Sequence, residues 1–462
     1  MHPTQRIIRH QQNRIKNHAA NSNSYDFFNL LTGSEFLDQV ESLLPEHRER
    51  LFPPTETLSM FLGQVMSADR SCQCAVDTAA INRLIGGLPS CSTHTGAYCQ
   101  ARKRLPLEMV STLARYTGKM ITSQVPDAWL WQGRSVRLVD GATVIMPDTE
   151  GNQAAYPQSQ SQKPGLGFPI CRMVSLICLA SGAVLDTATG PCRGKGSDEQ
   201  TLLRSILDTL AEGDILLGDA LYATYFLLHA LQKMGIDGVF EQHGARRLST
   251  DFRHGQRVGA RDHIINISKP KRKPDWMTQS EYDLASETLE VRELRTGGKI
   301  LVTTLLCPKL TSKADLKSLY KDRWHVELDL RNIKTTLGME MLSCRTPEMV
   351  EKEIWVYLFA YNLIRLLMAQ AAFLADTIPR QLSFKHTLQL WIAWQQNCGG
   401  SYDEDRLYGL FVLIAQQKTG NRPGRIEPRV VKRRPKPFGL LTKPRDIARE
   451  EVRKNGHPKK LK

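Results

Sequence analysis

The feature that most constrains this chain is the order of the apolar segments that begin near residue 135. Three runs have the length and the β-branched, apolar composition of strands: 135–146, 168–180 and 183–190. A helical pattern opens at Ser197, a short apolar run follows at 214–218, and a second helical pattern covers 222–234. Three strands followed by a helix, a strand and a helix predict a mixed α/β core.

This order is the one that a ribonuclease-H-like sheet requires, and the rest of the chain is divided around it. We expect the core at 126–242 and 311–375, interrupted at 243–310 by a β-rich insertion with a hairpin turning at Gly297-Gly298. Helical periodicity predicts a helical N-terminal region at 1–125 and a C-terminal helical region at 376–420.

The net charge of +15 is unevenly distributed. Residues 421–462 hold 15 Lys/Arg and 4 Asp/Glu, a net of +11, so that only +4 belongs to the rest of the chain. This Pro-rich tail cannot bury enough apolar area to fold compactly and is predicted to be extended or disordered. Attraction to nucleic acid is its plainest use, and improved solubility is the alternative.

Three adjacent bases, Arg102, Lys103 and Arg104, lie in a helical segment of the N-terminal region. A small helical module with one basic helix is an ordinary way to hold a DNA duplex. A solvated turn between helices would have the same composition, so the sequence leaves both interpretations open.

Two aspartates occupy unusual places. Asp140 lies inside an apolar strand, where an unpaired charge is costly unless a metal or a strong partner compensates it. Asp219 ends the apolar run ILLG, at the carboxyl end of a strand, where α/β sheets usually expose their site residues. Each could also be a carboxylate that caps the end of a strand.

A long helix is predicted to begin at Ser312 or Lys313 and to end at Gly338. At about 100° per residue, five of its side chains share one stripe beside the apolar face: Tyr320, Arg323, Glu327, Arg331 and Lys334. A surface helix with salt bridges would also mix charges, although it need not align them in one row.

Three carboxylates on separate elements, Asp140, Asp219 and Glu327, suit two divalent cations that activate an attacking oxygen and stabilise a leaving oxygen at phosphorus. Arg323, Lys334 and Arg331 would then contact backbone phosphates. Trp324, on the same helix, could stack on an unpaired base or could simply be a packing residue.

These residues carry a resemblance to a known family. Tyr320, Arg323, Glu327 and Lys334, in YKDRWHVELDLRNIKTTLG, have the Y-(2)-R-(3)-E-(6)-K spacing, which resembles the signature of the insertion-sequence-four family of bacterial DDE transposases. VDGATV around Asp140 and GDALY around Asp219 are similar to that family's motifs for its two aspartates. The resemblance covers about residues 57–375.

The resemblance implies that Asp140, Asp219 and Glu327 bind Mg²⁺, two ions per site, with Mn²⁺ able to substitute. It implies cut-and-paste transposition at terminal inverted repeats through a DNA hairpin, with Tyr320, Arg323 and Lys334 on the terminal strand. Double-stranded element ends and target DNA would be the partners of a homodimer. Some members hold a flipped base with a tryptophan of the insertion, where this chain has Trp276 in a segment that does not align.

Other readings predict a different chemistry or none. A ribonuclease-H-like nuclease would not explain the basic N-terminal helix, the insertion and the tail together, and a DNA-binding relative without activity would need a damaged triad. The ten cysteines have no paired C-x-x-C spacing, which favours free thiols in the cytosol over zinc. Polar residues within 354–373 favour a buried helix, and no membrane partner is expected.

Overall fold

The computed structural model describes residues 42–44, 51–194, 196–397, 404–420 and 441–457. Its strands are β1 Val136–Ile145, β2 Ile170–Cys178, β3 Val184–Pro191, β4 Ile215–Gly218, β5 Asp237–Glu241, β6 Gln256–Gly259, β7 Asp262–Ser268, β8 Thr288–Thr296 and β9 Lys299–Thr303.

The helices are α1 Pro54–Met66, α2 Cys72–Ile85, α3 Gly96–Arg104, α4 Leu107–Ser123, α5 Glu150–Ala155, α6 Glu199–Arg204, α7 Tyr225–Lys233, α8 Gly244–Arg247, α9 Gln279–Leu284, α10 Lys313–Asp322, α11 Trp324–Arg331, α12 Pro347–Leu374, α13 Phe384–Asn397, α14 Glu404–Gln416 and α15 Arg445–Asn455.

One nine-stranded sheet, in the order β3-β2-β1-β4-β5-β9-β8-β7-β6, organises the described residues. β1, β2 and β3 form the predicted antiparallel meander, and β4 and β5 run parallel to β1. All four residues of β4 are buried, as is usual for a strand covered on both faces. The mixed α/β prediction is confirmed, and the sheet is consistent with a ribonuclease-H-like transposase fold.

The strands of residues 243–310 continue this sheet and do not form a separate layer. β9 pairs antiparallel with β5, a strand that the sequence analysis does not predict, and β8, β7 and β6 follow it outward. The predicted hairpin is confirmed: Gly297 and Gly298 connect β8 to β9 with φ of +58° and +81°, which glycine adopts without steric cost.

The terminal helices share their core with the sheet. Leu58 and Phe61 of α1, Leu138 of β1, and Leu410 of α14 belong to one buried apolar cluster. Asn362 of α12 joins distant segments, because its Nδ2 donates to the carbonyl oxygens of Ala114 (2.9 Å) and Val184 (2.8 Å). The regions drawn at 1–125 and 376–420 therefore pack on the core as parts of one unit where the structure describes them.

Helix α12 is 28 residues long and apolar enough to cross a membrane by length and composition. Almost all of it is buried inside the protein, against α4, α14 and α1. This agrees with the interpretation of the segment as a core helix.

The helix that carries the predicted stripe begins as expected and changes form before its end. Ser312 caps α10 in a capping box with Asp315, and α11 follows directly through Arg323. Residues Asn332–Thr336 then form a wider π-helical turn. Gly338, at φ +90°, ends the helix as predicted.

The predicted extended tail at 421–462 is wrong for Arg445–Asn455, which forms α15. Asp446 in its first turn and Arg453 and Lys454 in its last turn complement the helix dipole, and Lys443 Nζ pairs with Glu451 Oε1 at 2.5 Å. The prediction rests on the high net charge of 421–462 and overlooks the helix-forming residues within 445–455. The most basic stretch, 421–440, lies outside the described residues.

Candidate active site

Asp140 lies in the middle of β1, the strand that pairs with β2 on one side and with β4 on the other. Its Oδ1 accepts a hydrogen bond from the Gly141 amide at 2.8 Å, and its side chain is about a fifth exposed. Burial raises the pKa of Asp140 to about 6. The Gly141 amide and Arg323 oppose this shift, and the negative charges of Asp219 and Glu199 add to it. The strand thus holds a carboxylate in a place that disfavours its charge.

Asp219 is brought to the same sheet edge by strand register. Leu138 of β1 lies opposite Leu217 of the parallel strand β4. Asp140 and Asp219 each follow two residues later, Asp140 within β1 and Asp219 directly after the end of β4. Asp219 Oδ1 accepts the Leu221 amide at 2.8 Å, which fixes the turn after β4.

Glu327 approaches this edge from α11, and Arg323 connects it to Asp140. Arg323 Nη2 donates to Glu327 Oε1 at 2.7 Å, one helical turn away, and its Nη1 lies 4.0 Å from Asp140 Oδ2. The guanidinium therefore bridges the first and third predicted carboxylates.

Tyr320 is fixed by a partner that sequence analysis misses. Its hydroxyl donates to Glu241 Oε2 at 3.2 Å, and Lys299 Nζ lies 2.6 Å from the same oxygen. Burial, followed by the charge of Glu241, raises the pKa of the Tyr320 hydroxyl. Glu241 ends β5 and Lys299 begins β9, so only strand pairing brings them to the helix.

The remaining members of the stripe are placed less uniformly. Arg331 is exposed, and the Trp324 side chain is 55% exposed, which leaves its ring accessible. Lys334 is half-buried in the π-helical turn, whose wider spacing departs from the uniform 100° count used in the prediction.

The three bases of α3 divide into one buried and two exposed side chains. Arg102 is buried, with Nη1 3.2 Å from Gln64 Oε1 and its guanidinium 4.6 Å from the Phe61 ring centroid. Its prediction as a DNA contact is therefore wrong, because the side chain is used in packing α3 on α1. Lys103 and Arg104 are exposed, and their DNA role stays a prediction.

Trp276, in the insertion, packs against side chains of α6 and α7. Arg204 Cζ lies 3.8 Å from its ring centroid, and Phe226 meets it edge to face at 6.2 Å. The guanidinium covers one face of the indole, while 45% of the residue is exposed. Its role toward a flipped base stays a prediction.

The family description "Transposase DDE domain" matches residues 131–363, which contain β1 to α11 and all three carboxylates. The chain belongs to the DDE transposase family. It is 28% identical to the transposase InsG of insertion sequence element IS4 from Escherichia coli (strain K12) over 353 residues, 73% of this chain and 76% of that protein. Over 143 residues it is 30% identical to the putative transposase InsZ of the same strain, of which the chain spans 46%.

As a DDE transposase, the protein is an enzyme that acts on DNA, cleaving it and transferring strands in dependence on divalent metal ions. The insertion-sequence and DDE assignments made from the motifs are thereby confirmed. The roles of the individual side chains stay predictions.

The transposase site contains one further carboxylate that the sequence analysis does not single out. Glu199 opens α6, which Asp198 caps through the Thr201 amide (2.9 Å), so that the helix begins one residue later than predicted. Its charge acts on both Asp140 and Tyr222: burial first, and Glu199 next, raises the pKa of the Tyr222 hydroxyl. The feature of the sequence that could have indicated Glu199 is its position, two residues after Ser197 at the start of a predicted helix.

Proposed function

We propose that this transposase catalyses Mg²⁺-dependent cut-and-paste transposition of its own element, with Mn²⁺ able to substitute. The observation that carries the proposal is the placement of Asp140 on β1 and of Asp219 directly after the neighbouring strand β4, with Arg323 bridging Asp140 to Glu327. Cleavage at terminal inverted repeats, a DNA hairpin intermediate and strand transfer would use this one site.

The residues present suit divalent cations. Carboxylate oxygens are the donors that Mg²⁺ and Mn²⁺ prefer, and the Arg323 guanidinium already puts positive charge between two of them. In the part of the chain that the structure describes, no three His, Cys, Asp or Glu side chains lie close enough together to hold a metal ion. Glu327 would therefore exchange its pairing with Arg323 for the cation.

The reaction is an in-line displacement at phosphorus. Water attacks the phosphodiester at the element end, and the bond to the 3′ oxygen breaks, which frees a 3′-hydroxyl. That hydroxyl attacks the phosphodiester on the opposite strand, which closes the hairpin and releases the flanking DNA with a 3′-hydroxyl. A second water opens the hairpin, which frees the 3′-hydroxyl of the element again and leaves a 5′-phosphate. The 3′-hydroxyl then attacks a target phosphodiester, and the 3′ oxygen of the target strand leaves. Two divalent cations held by Asp140, Asp219 and Glu327 would supply activation of the attacking oxygen and stabilisation of the leaving oxygen.

The chain's own bases and aromatic side chains would position the DNA. Arg323, once released from Glu327, joins Lys334 and Arg331 on the terminal-strand phosphates. Tyr320 contacts the same strand, held in place by Glu241. Trp324, exposed on α11, offers its ring to an unpaired base.

Binding of the ends extends beyond the site. We assign end recognition to the N-terminal helices with Lys103 and Arg104, and additional DNA contact to the basic tail. A homodimer would pair two ends in the synaptic complex, and the protein would act in the cytoplasm, at the nucleoid when DNA-bound.

Asp140→Ala tests the catalytic assignment. We expect it to abolish Mg²⁺-dependent cleavage of a labelled duplex that carries the element end, while the affinity for that duplex, measured in EDTA, is retained. Asp208→Ala, at an exposed aspartate after α6, is the matched control and should cleave normally. Cleavage that survives in Asp140→Ala would overturn the assignment. Loss of binding in the Asp140 variant alone would indicate a DNA-holding role.

A further inference from the structure

The Glu199 carboxylate lies directly against the backbone of Gly141, the residue after Asp140. A Cβ atom at Gly141 would overlap the carboxylate carbon of Glu199 and both of its oxygens. Gly141 is therefore a glycine because of the close approach of Glu199, since it has no positive φ that would call for glycine. The contact joins the start of α6 to the strand segment that presents Asp140.

Glu199 also contacts the segment that follows Asp219. The Tyr222 hydroxyl donates to Glu199 Oε2 at 3.3 Å, and the Tyr222 residue is fully buried. One carboxylate thus contacts Gly141, the residue after Asp140 in VDGATV, and Tyr222, three residues after Asp219 in GDALY. A shift of Glu199 would change its contacts with β1 and with the turn after β4 together.

The negative charge of Glu199 is only partly compensated. Arg172 Nε lies 4.0 Å from Glu199 Oε1 and, among the described residues, has no hydrogen-bond partner. The Nη1 of the same guanidinium donates to the Ser197 carbonyl at 2.7 Å. The Glu199 side chain is about a quarter exposed, and its carboxylate lies between the Asp140 and Asp219 segments. A role limited to the dipole of α6 would require neither the Gly141 contact nor the Tyr222 contact.

We propose that Glu199 is a positioning residue of the cation site, a fourth carboxylate that holds the Asp140 and Asp219 segments and strengthens divalent-cation binding through its charge. This inference rests on the proposed function, because it assumes that the cation is held by Asp140, Asp219 and Glu327. Glu199 does not contact the cation. It acts by holding the segments that carry the ligands and by adding negative charge nearby, as groups that contact metal ligands commonly do.

The test measures cation affinity directly, without DNA and without turnover. Mn²⁺ is titrated calorimetrically into the full-length protein and into Glu199→Gln, which keeps the shape of the side chain and removes its charge. We expect the affinity to fall about tenfold or more, the usual cost of removing a residue that supports metal ligands. Glu212→Gln is the matched control at an exposed site, and its affinity should change by less than about twofold because distant surface charges are screened.

Two further variants separate charge from structure. Glu199→Asp retains the charge and should recover part of the affinity lost in Glu199→Gln, whereas a merely structural role would make both equally weak or equally unaffected. Gly141→Ala should lower the thermal unfolding temperature in EDTA, and the same substitution combined with Glu199→Ala should not, because the overlapping carboxylate is gone.

The outcomes distinguish this inference from the proposed function. Wild-type affinity in Glu199→Gln, together with lost binding in Asp140→Asn, would overturn the role of Glu199 and leave the cation site standing. Wild-type affinity in Asp140→Asn would overturn the cation site itself. Weakened binding in Glu212→Gln equal to that in Glu199→Gln would reduce the effect to net charge and would also overturn the inference.

Discussion

Helix α11 carries two carboxylates, two residues apart, whose surroundings differ completely. Asp329 is fully buried and accepts hydrogen bonds from Arg365 Nη2 and from Arg380 Nη1, the latter at 2.6 Å. Glu327 is about a third exposed and shares Arg323 with Asp140. Two arginines of the protein, Arg365 and Arg380, compensate the negative charge of Asp329. The carboxylates around Asp140 outnumber the bases beside them, which leaves charge for a ligand.

The two clusters differ in where the compensation of their charge comes from. A buried charge is tolerable when fixed partners are paired with it, and Arg380 is itself held by the carbonyl oxygens of Leu179 (2.6 Å) and Cys178 (2.9 Å). Within the described residues, Asp140 has only the Gly141 amide at 2.8 Å and the Arg323 guanidinium at 4.0 Å, and burial raises its pKa to about 6. The paired charges around Asp329 stabilise the fold but leave no charge for a ligand. The carboxylates around Asp140 destabilise the fold but are suited to a cation.

The largest expected effect comes from breaking the compensated cluster. Asp329→Ala leaves two buried guanidinium groups without their counterion and should lower the free energy of unfolding by about 3–5 kcal/mol. Urea unfolding followed by circular dichroism in EDTA measures it, with Asp208→Ala as the exposed control. If both variants unfolded at the same urea concentration, the stabilising role of the Asp329 cluster would be refuted.

A smaller effect of opposite sign is expected at the uncompensated cluster. Asp140→Asn removes a charge that burial disfavours and should raise the free energy of unfolding at pH 8 in EDTA by about 1–2 kcal/mol. Because the folded-state pKa is raised from 3.8 to about 6, the contribution of Asp140 to stability is full below about pH 4 and is lost as the pH rises through about 6.

The advantage of Asp140→Asn should therefore shrink as the pH is lowered toward 4. Saturating Mg²⁺ at pH 8 should reverse the order, since only the wild-type protein gains stability from the bound ion. Unfolding curves with and without Mg²⁺ at both pH values check this. A variant less stable than wild type in EDTA would show that Asp140 is compensated after all.

The smallest effects are expected on α3, where the same contrast separates Arg102 from its neighbours. Lys103→Ala and Arg104→Ala should each lower the slope of log affinity against log salt for end DNA by about 1, the value for one lost phosphate contact. Arg102→Met, the buried comparison, should leave the slope unchanged and reduce stability instead. An unchanged slope in both exposed variants would remove α3 from the DNA interface.

The parts of the fold that local pattern controls could be predicted from the sequence. The meander β1 to β3, β4, the Gly297-Gly298 hairpin and the helix from Ser312 to Gly338 follow from strand composition, turn glycines and caps. The sequence analysis misses α15 because it judges 421–462 by the net positive charge of the whole segment and not by the helix-forming residues of 445–455.

What could not be predicted depends on partners distant in sequence. Arg102 resembles Lys103 in a sequence, and only Gln64 and Phe61, about 40 residues earlier, make it a packing residue. Glu199 and Glu241 look like two ordinary acids among 47. Their contacts with Gly141, Tyr222 and Tyr320 arise from the packing of α6 and the pairing of β5 with β9, which no local spacing encodes.

The hydrogen bonds of Asn362 also set the order in which the chain can fold during synthesis. Helix α4 meets its partner 248 residues later in the sequence, through the bond from Asn362 to Ala114. At about 5–20 residues per second, ribosomes need roughly 10–50 s to make the intervening chain. The apolar face that α4 packs against α12 therefore stays exposed until α12 has been synthesised. Its burial is a late event in translation.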